Sequence, residues 1–88
     1  MYREYELRGD TLIVYICDKH RFLSGKFSLV IRVNVINLSV SIEALTYCGR
    51  SFIEYELKRV YDLLDFPHWR SFVASCGHHD VDNELFVP

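Results

Sequence analysis

Cys17 and His20 are spaced C-x2-H where an apolar run ends, and Cys76 and His78 are spaced C-x-H where a helical stripe ends. Thiolate and imidazole are the ligands Zn²⁺ prefers, so two such pairs from distant segments would close a tetrahedral Cys2His2 site. A metal held that way would also staple a small fold. The pattern is unspecific, because neither pair is a C-x2-C knuckle. Both cysteines also have a packing role to fill: Cys17 completes an apolar strand, Cys76 completes an apolar helix face, and a buried thiol behaves as a small hydrophobe. Cys48 has no histidine near it in sequence and is expected to be structural. The expected state is therefore no cofactor, with zinc as the alternative.

Cys76, His78, His79, Asp80 and Asp82 bring a nucleophile, a base and carboxylates within seven residues. Catalytic groups normally converge from separate segments, and neighbours along the chain rarely reach the geometry that proton transfer needs. The expectation is that the protein is not an enzyme. A third group is basic. Lys19, Arg21 and Lys26 sit in one polar stretch, and Arg32 lies on the polar side of the next strand. They would suit phosphates, with Phe22 available to stack on a base. The chain lacks an RNP-type aromatic signature and carries a net charge of −2, so nucleic-acid binding is the alternative reading.

Eighty-eight residues leave room for one small domain, residues 1–88, which buries only roughly 60% of the surface of its unfolded chain. Half the residues are apolar, and six Phe, six Tyr and one Trp make it aromatic-rich, a composition that excludes intrinsic disorder. Tyr and Trp are favoured where a surface is dry at one end and wet at the other. Charge is uneven: residues 1–35 carry +2 and residues 36–88 carry −4. With an odd cysteine count, no secretory h-region and no apolar run long enough to span a bilayer, the chain reads as an intracellular, cytoplasmic protein with reduced thiols and no membrane partner.

The elements follow from periodicity. Arg3–Leu7 alternates, with Tyr5 and Leu7 opposite Glu4 and Glu6. Gly9-Asp10 signals a tight hairpin into Thr11–Cys17, which is apolar on both faces and should lie centrally. Asp18–Gly25 is a polar loop. Residues 27–35 alternate cleanly, and the parity flips after Asn37, so a second hairpin is expected near Asn34 and Asn37 in preference to one long bulged strand. Ser51-Phe52-Ile53-Glu54 has the form of a capping box, and Ile53, Leu57, Val60, Tyr61 and Leu64 make a helical stripe ended by Phe66-Pro67. Glu54 and Lys58 are spaced as an i,i+4 ion pair. A second helix starts near Pro67, carries Trp69, Phe72, Val73 and Cys76, and stops at Gly77. The expected fold is α+β: a four-stranded antiparallel sheet of two hairpins, then two consecutive helices packed on one face, with residues 78–88 offering an edge strand.

The favoured function is a non-catalytic protein-binding regulatory module of the inhibitor, immunity-antidote or viral or mobile-element type. Its partner-binding residues are read as Tyr2, Tyr5, Tyr47, Tyr55 and Trp69, with the acidic Asp80, Asp82 and Glu84 steering a basic partner. A homodimer paired through an edge strand or helix face is part of that reading.

Overall fold

The computed structural model describes residues 2–17 and 27–75 in full and residues 78–80 as backbone. Strands β1 (Tyr2–Arg8), β2 (Thr11–Cys17), β3 (Leu29–Asn34) and β4 (Val40–Ala44) are followed by helices α1 (Arg50–Leu64) and α2 (Trp69–Ser75), and a short β5 (His78–Asp80) closes the order. The expected α+β arrangement is what the chain adopts. Each of the first four strands pairs antiparallel with the next, and β5 joins the free side of β1, giving the order β4-β3-β2-β1-β5. The polar stretch with Lys19, His20, Arg21 and Lys26 lies outside the described residues, as do Cys76, Asp82 and Glu84.

The two hairpins form where the turn chemistry places them. Arg8 pairs with Thr11 across Gly9-Asp10, and Gly9 takes a φ of 60°, the glycine-first order of a II′ turn. Beyond β3, the Asn34 side-chain oxygen accepts the amides of Ile36 (2.9 Å) and Asn37 (3.1 Å), while the Asn37 side chain accepts that of Ser39 (2.9 Å). These Asx contacts replace ladder bonds and reverse the chain. They also explain the parity flip: the sequence changes sheet face because it changes strand.

One sheet face carries Arg3, Tyr5, Leu12, Val14, Ile16, Leu29, Ile31 and Val33, all buried, and α1 and α2 add Val60, Leu63 and Val73 above them. Tyr5 meets Phe72 edge to face with ring centres 5.3 Å apart. Central β2 is buried on both faces, as its unbroken apolar run requires: Ile13 and Cys17 are covered on the far side as well.

Three helical expectations change. α1 begins at Arg50, with Gly49 extended at the N-cap (φ −64°, ψ 151°) and no side-chain cap, so Ser51 lies inside the first turn and no capping box forms. The Glu54 carboxylate is taken instead by Arg50 Nε at 2.9 Å. The i,i+4 pairs accordingly run Arg50 to Glu54 and Lys58 to Asp62 (2.9 Å), not Glu54 to Lys58. The buried line of α1 is Glu56, Val60 and Leu63, which leaves Tyr61 at the exposed margin of the expected stripe. The second helix, α2, starts at Trp69, two residues after Pro67 and where it was expected.

Glu56 is buried because Arg3 is. The guanidinium donates Nε to Oε1 and Nη2 to Oε2, both at 2.8 Å, and the two side chains are 1% and 2% exposed. A fork-to-fork pair of this kind fixes orientation as well as charge. Deleting one partner strands the other charge in a dry place, which costs about 3–5 kcal/mol, whereas well-packed apolar replacements of both are often tolerated. Glu56→Ala should therefore lower the unfolding free energy by about that amount in urea titrations, and Arg3→Met/Glu56→Leu should recover most of the loss. A Glu56→Ala protein as stable as the parent would show the pair to be dispensable.

Candidate functional site

The core stops short of β4. Val40 packs against it, but the rest of the strand is exposed, and so are both of its flanks. Among the described residues, five of the seven exposed large apolar side chains fall between 36 and 47: Ile36 (71%), Leu38 (49%), Ile42 (40%), Leu45 (50%) and Tyr47 (97%). The other two, Tyr55 and Tyr61, lie on α1. Scattered single apolar residues are ordinary on a surface, but a run along one strand and its two connections is a patch of the kind that marks interaction sites.

The backbone of β4 is open too. Asn34 N–H donates to Ser39 O (2.9 Å) at one end of the β3–β4 ladder, and Leu45 N–H donates to Ser28 O (2.9 Å) at the other. Antiparallel pairs alternate between bonded and non-bonded positions. Ser41 and Glu43 therefore spend their main-chain groups on β3, and the N–H and C=O of Val40, Ile42 and Ala44 point away from the sheet. The side chains of those same three residues lie on the helix-covered face, opposite Val33, Ile31 and Leu29. No strand pairs with this edge among the described residues. It also lacks the usual guards of such an edge, lysine, proline or a bulge. Its one charge, Glu43, points to the other face and is bridged by Arg32 Nη1 at 3.3 Å.

The turn that feeds β4 is strained at an exposed apolar residue. Leu38 has a φ of 62° while its amide donates to Asn34 O at 2.7 Å. A leucine in the left-handed region costs about 1–2 kcal/mol relative to its ordinary conformations. Asn is tolerated there, so Leu38 is an apolar side chain kept in solvent at the expense of the fold.

The residues expected to bind a partner are dispersed. Tyr47 stands free in the patch just described. Tyr55 is half exposed on α1, with Arg59 Nη1 donating to its hydroxyl at 3.4 Å and the guanidinium 5.8 Å from its ring centre. Tyr2 is half-buried on β1. Tyr5 is corrected to a core residue, 7% exposed, because its strand position faces the helices. Trp69 is half-buried, packed against the core cluster, with the Arg70 guanidinium 4.5 Å from its ring centre. Asp80 is described only as backbone in β5, opposite Tyr2. The apolar members Ile36, Leu38, Ile42 and Leu45 were missed because the expected binding set was drawn from aromatic and acidic residues alone. Among the described residues the second helix is only seven residues long, Trp69–Ser75, too short to extend cover to the edge strand.

For the metal set, Cys17 is a buried thiol and Cys48 a half-buried one whose Sγ lies 3.6 Å from Ser28 O. His20 and Cys76 fall outside the described residues, and of His78 only the backbone is described. No group of three or more His, Cys, Asp or Glu converges among the described residues. Of the basic set, Arg32 is described. It lines an open groove of about 300 Å³ with Thr11, Asn34, Ser39, Val40 and Ser41, and its charge is partly answered by Glu43. No helix among the described residues is long and apolar enough to cross a membrane.

The far face of the sheet holds a small polar network. Tyr15 donates its hydroxyl to Glu6 Oε1 (3.0 Å), and Arg8 Nη2 donates to Glu6 Oε2 (2.8 Å). The Arg8 hydrogen bond, then that of Tyr15, holds the Glu6 carboxyl below its ordinary value. Burial, then the bond to Glu6, raises the Tyr15 hydroxyl above the ordinary 10.0.

Two outcomes follow from these local arrangements. Leu38→Asn should stabilise the folded chain by about 1 kcal/mol in urea unfolding, by relieving the left-handed strain; a destabilised variant would mean that Leu38 packs favourably. Because the Tyr15 proton is held more tightly in the folded state, its contribution is present below pH 10 and is lost as pH rises through the raised value. An NMR alkaline titration should show Tyr15 ionising above the ordinary range, and Glu6→Gln should bring it down. Comparison with protein families, curated proteins and solved structures gives no match to this chain, so its function has to be read from the residues themselves.

Proposed function

We propose that the protein is a non-catalytic binding module whose working surface is the β4 edge with its flanks, and that it acts by docking another polypeptide there. The observation that supports this reading most is that apolar side chains and unsatisfied main-chain groups coincide on one strand. Either alone is common. Together they fit strand addition, in which main-chain hydrogen bonds supply affinity and alternate side chains supply specificity. Glu6, Arg8 and Tyr15, the titratable cluster described on the far face, spend their hydrogen bonds on one another.

Polypeptide suits the edge better than nucleic acid does. The exposed row is aliphatic plus one Tyr, and the β4 side chain that carries charge is acidic. A phosphate backbone would require clustered cations. An inhibitor, antidote or viral regulator acts by binding another protein, and a docking edge would serve any of the three.

A photo-crosslinking residue at position 47 and, as control, at position 58 on the solvent side of α1 tests the reading in cells. The expected result is protein adducts from 47 that are absent from 58. Nucleic-acid adducts from 47, or adducts no different from those at 58, would overturn it.

A further inference from the structure

Resting on the reading of β4 as a docking edge, we infer that its occupant is a second copy of this chain, paired antiparallel through β4 about a two-fold axis at Ile42. The strand is self-complementary about that residue. With Ile42 opposite its own copy, Val40 falls opposite Ala44 of the partner and Ser41 opposite Glu43. Val40, Ile42 and Ala44 are the residues whose main-chain groups point outward, so all three pairs are of the bonded type and exchange about six main-chain hydrogen bonds. Their side chains share one face, and the axis, standing perpendicular to the sheet, keeps that face common to both copies. Two exposed half-strips thereby become one apolar band.

The charges agree with this register. Each Glu43 meets a serine and keeps its own Arg32 at 3.3 Å. Slipping the strands by one residue each way toward the C-terminal end would set Glu43 directly against Glu43, which like charges resist. The flanks are complementary as well. The axis brings the turn of one copy, with Ile36 and Leu38, alongside the β4–α1 connection of the other, with Leu45 and Tyr47. One operation thus gathers all five exposed apolar residues of the 36–47 segment. A heterologous strand would satisfy the edge but gives no reason for both flanks to be apolar. An isologous contact uses one patch twice, and closed two-fold dimers are the commonest oligomers.

Sedimentation equilibrium on the full chain, from low to high micromolar, tests the inference. The parent should run as a dimer. Ile42→Pro removes only an N–H that faces away from β3, and Ile42→Lys places charge on the axis; each should weaken association by about tenfold or more, while circular dichroism melting confirms folding. Ile42→Cys probes the register independently. Bonded antiparallel pairs lie about 5.5 Å apart at Cα, within disulfide reach, so mild oxidation should give a covalent dimer that the parent does not form. A parent monomeric at high micromolar concentration, a dimer untouched by both Ile42→Pro and Ile42→Lys, or an Ile42→Cys protein that stays monomeric would each overturn the inference. The docking reading is judged separately by the adducts at position 47: a monomer that still crosslinks there to a different protein loses the two-fold pairing and keeps the edge.

Discussion

The bidentate contact between Arg3 and Glu56 is the constraint around which the remaining structure is arranged. It joins the first strand to the middle of the first helix, 53 residues apart. A charge buried to this degree is tolerated only when its partner's geometry is nearly ideal, because desolvation otherwise outweighs attraction. α1 is thus denied the freedom to slide that a purely apolar stripe would allow. Glu56 has to meet the Arg3 fork, and the helix must lie over the β1 side of the sheet. Phe72 of α2 settles against Tyr5 on the same strand. Among the described residues both helices pack over β1, β2 and β3, and β4 beyond Val40 is left uncovered.

That exclusion links stability to function. A chain of 88 residues has few apolar groups to spare, yet five large ones stand exposed beside β4 while a charged pair occupies core volume under α1. An arrangement selected for stability alone would reverse those assignments. A buried ion pair adds little net stability over apolar residues of the same size, but it is unforgiving of misplacement. Its effect here is to choose which strand is covered. Sliding the helices toward β4 would hide Ile42 and strand Arg3, so the pair holds the edge open.

Much of this fold is legible from periodicity and turn chemistry. Gly9 and the Asn34/Asn37 bracket locate both hairpins, the two-sided apolar run of Thr11–Cys17 places β2 at the centre, and Phe66-Pro67 ends α1 at Leu64. Those features are local, or need only the period of two or of 3.6 residues. The failures share a different cause. Arg3 and Glu56 each read as surface charge until both are seen to occupy inward positions, and no local rule pairs residues so far apart. The capping box failed because the pattern S-x-x-E specifies a helix start only if the helix begins after the serine, and Gly49 starts it earlier. The exposure of Ile42 depends on where the helices sit over the sheet, which no property of the strand itself reveals. Tyr5 was misplaced by residue type: an amphipathic ring was assigned to the surface although its strand parity matched Leu7, which packs against the core.

The turn before β4 sharpens the argument that this edge is kept for use. Asn34 and Asn37 already supply the hydrogen bonds the reversal needs, so the left-handed position itself asks only for Gly or Asn. Leucine there, next to an isoleucine 71% exposed, works against folding twice: through backbone strain and through apolar surface left in water. The second cost falls only on the uncomplexed chain if a partner covers the tip, and the about 1.5–3 kcal/mol returned by each buried leucine and isoleucine would offset the first. A strained apolar tip, an unguarded strand edge and an exposed tyrosine on the opposite flank are three separate expenses borne by one surface. A single docking event would offset all three.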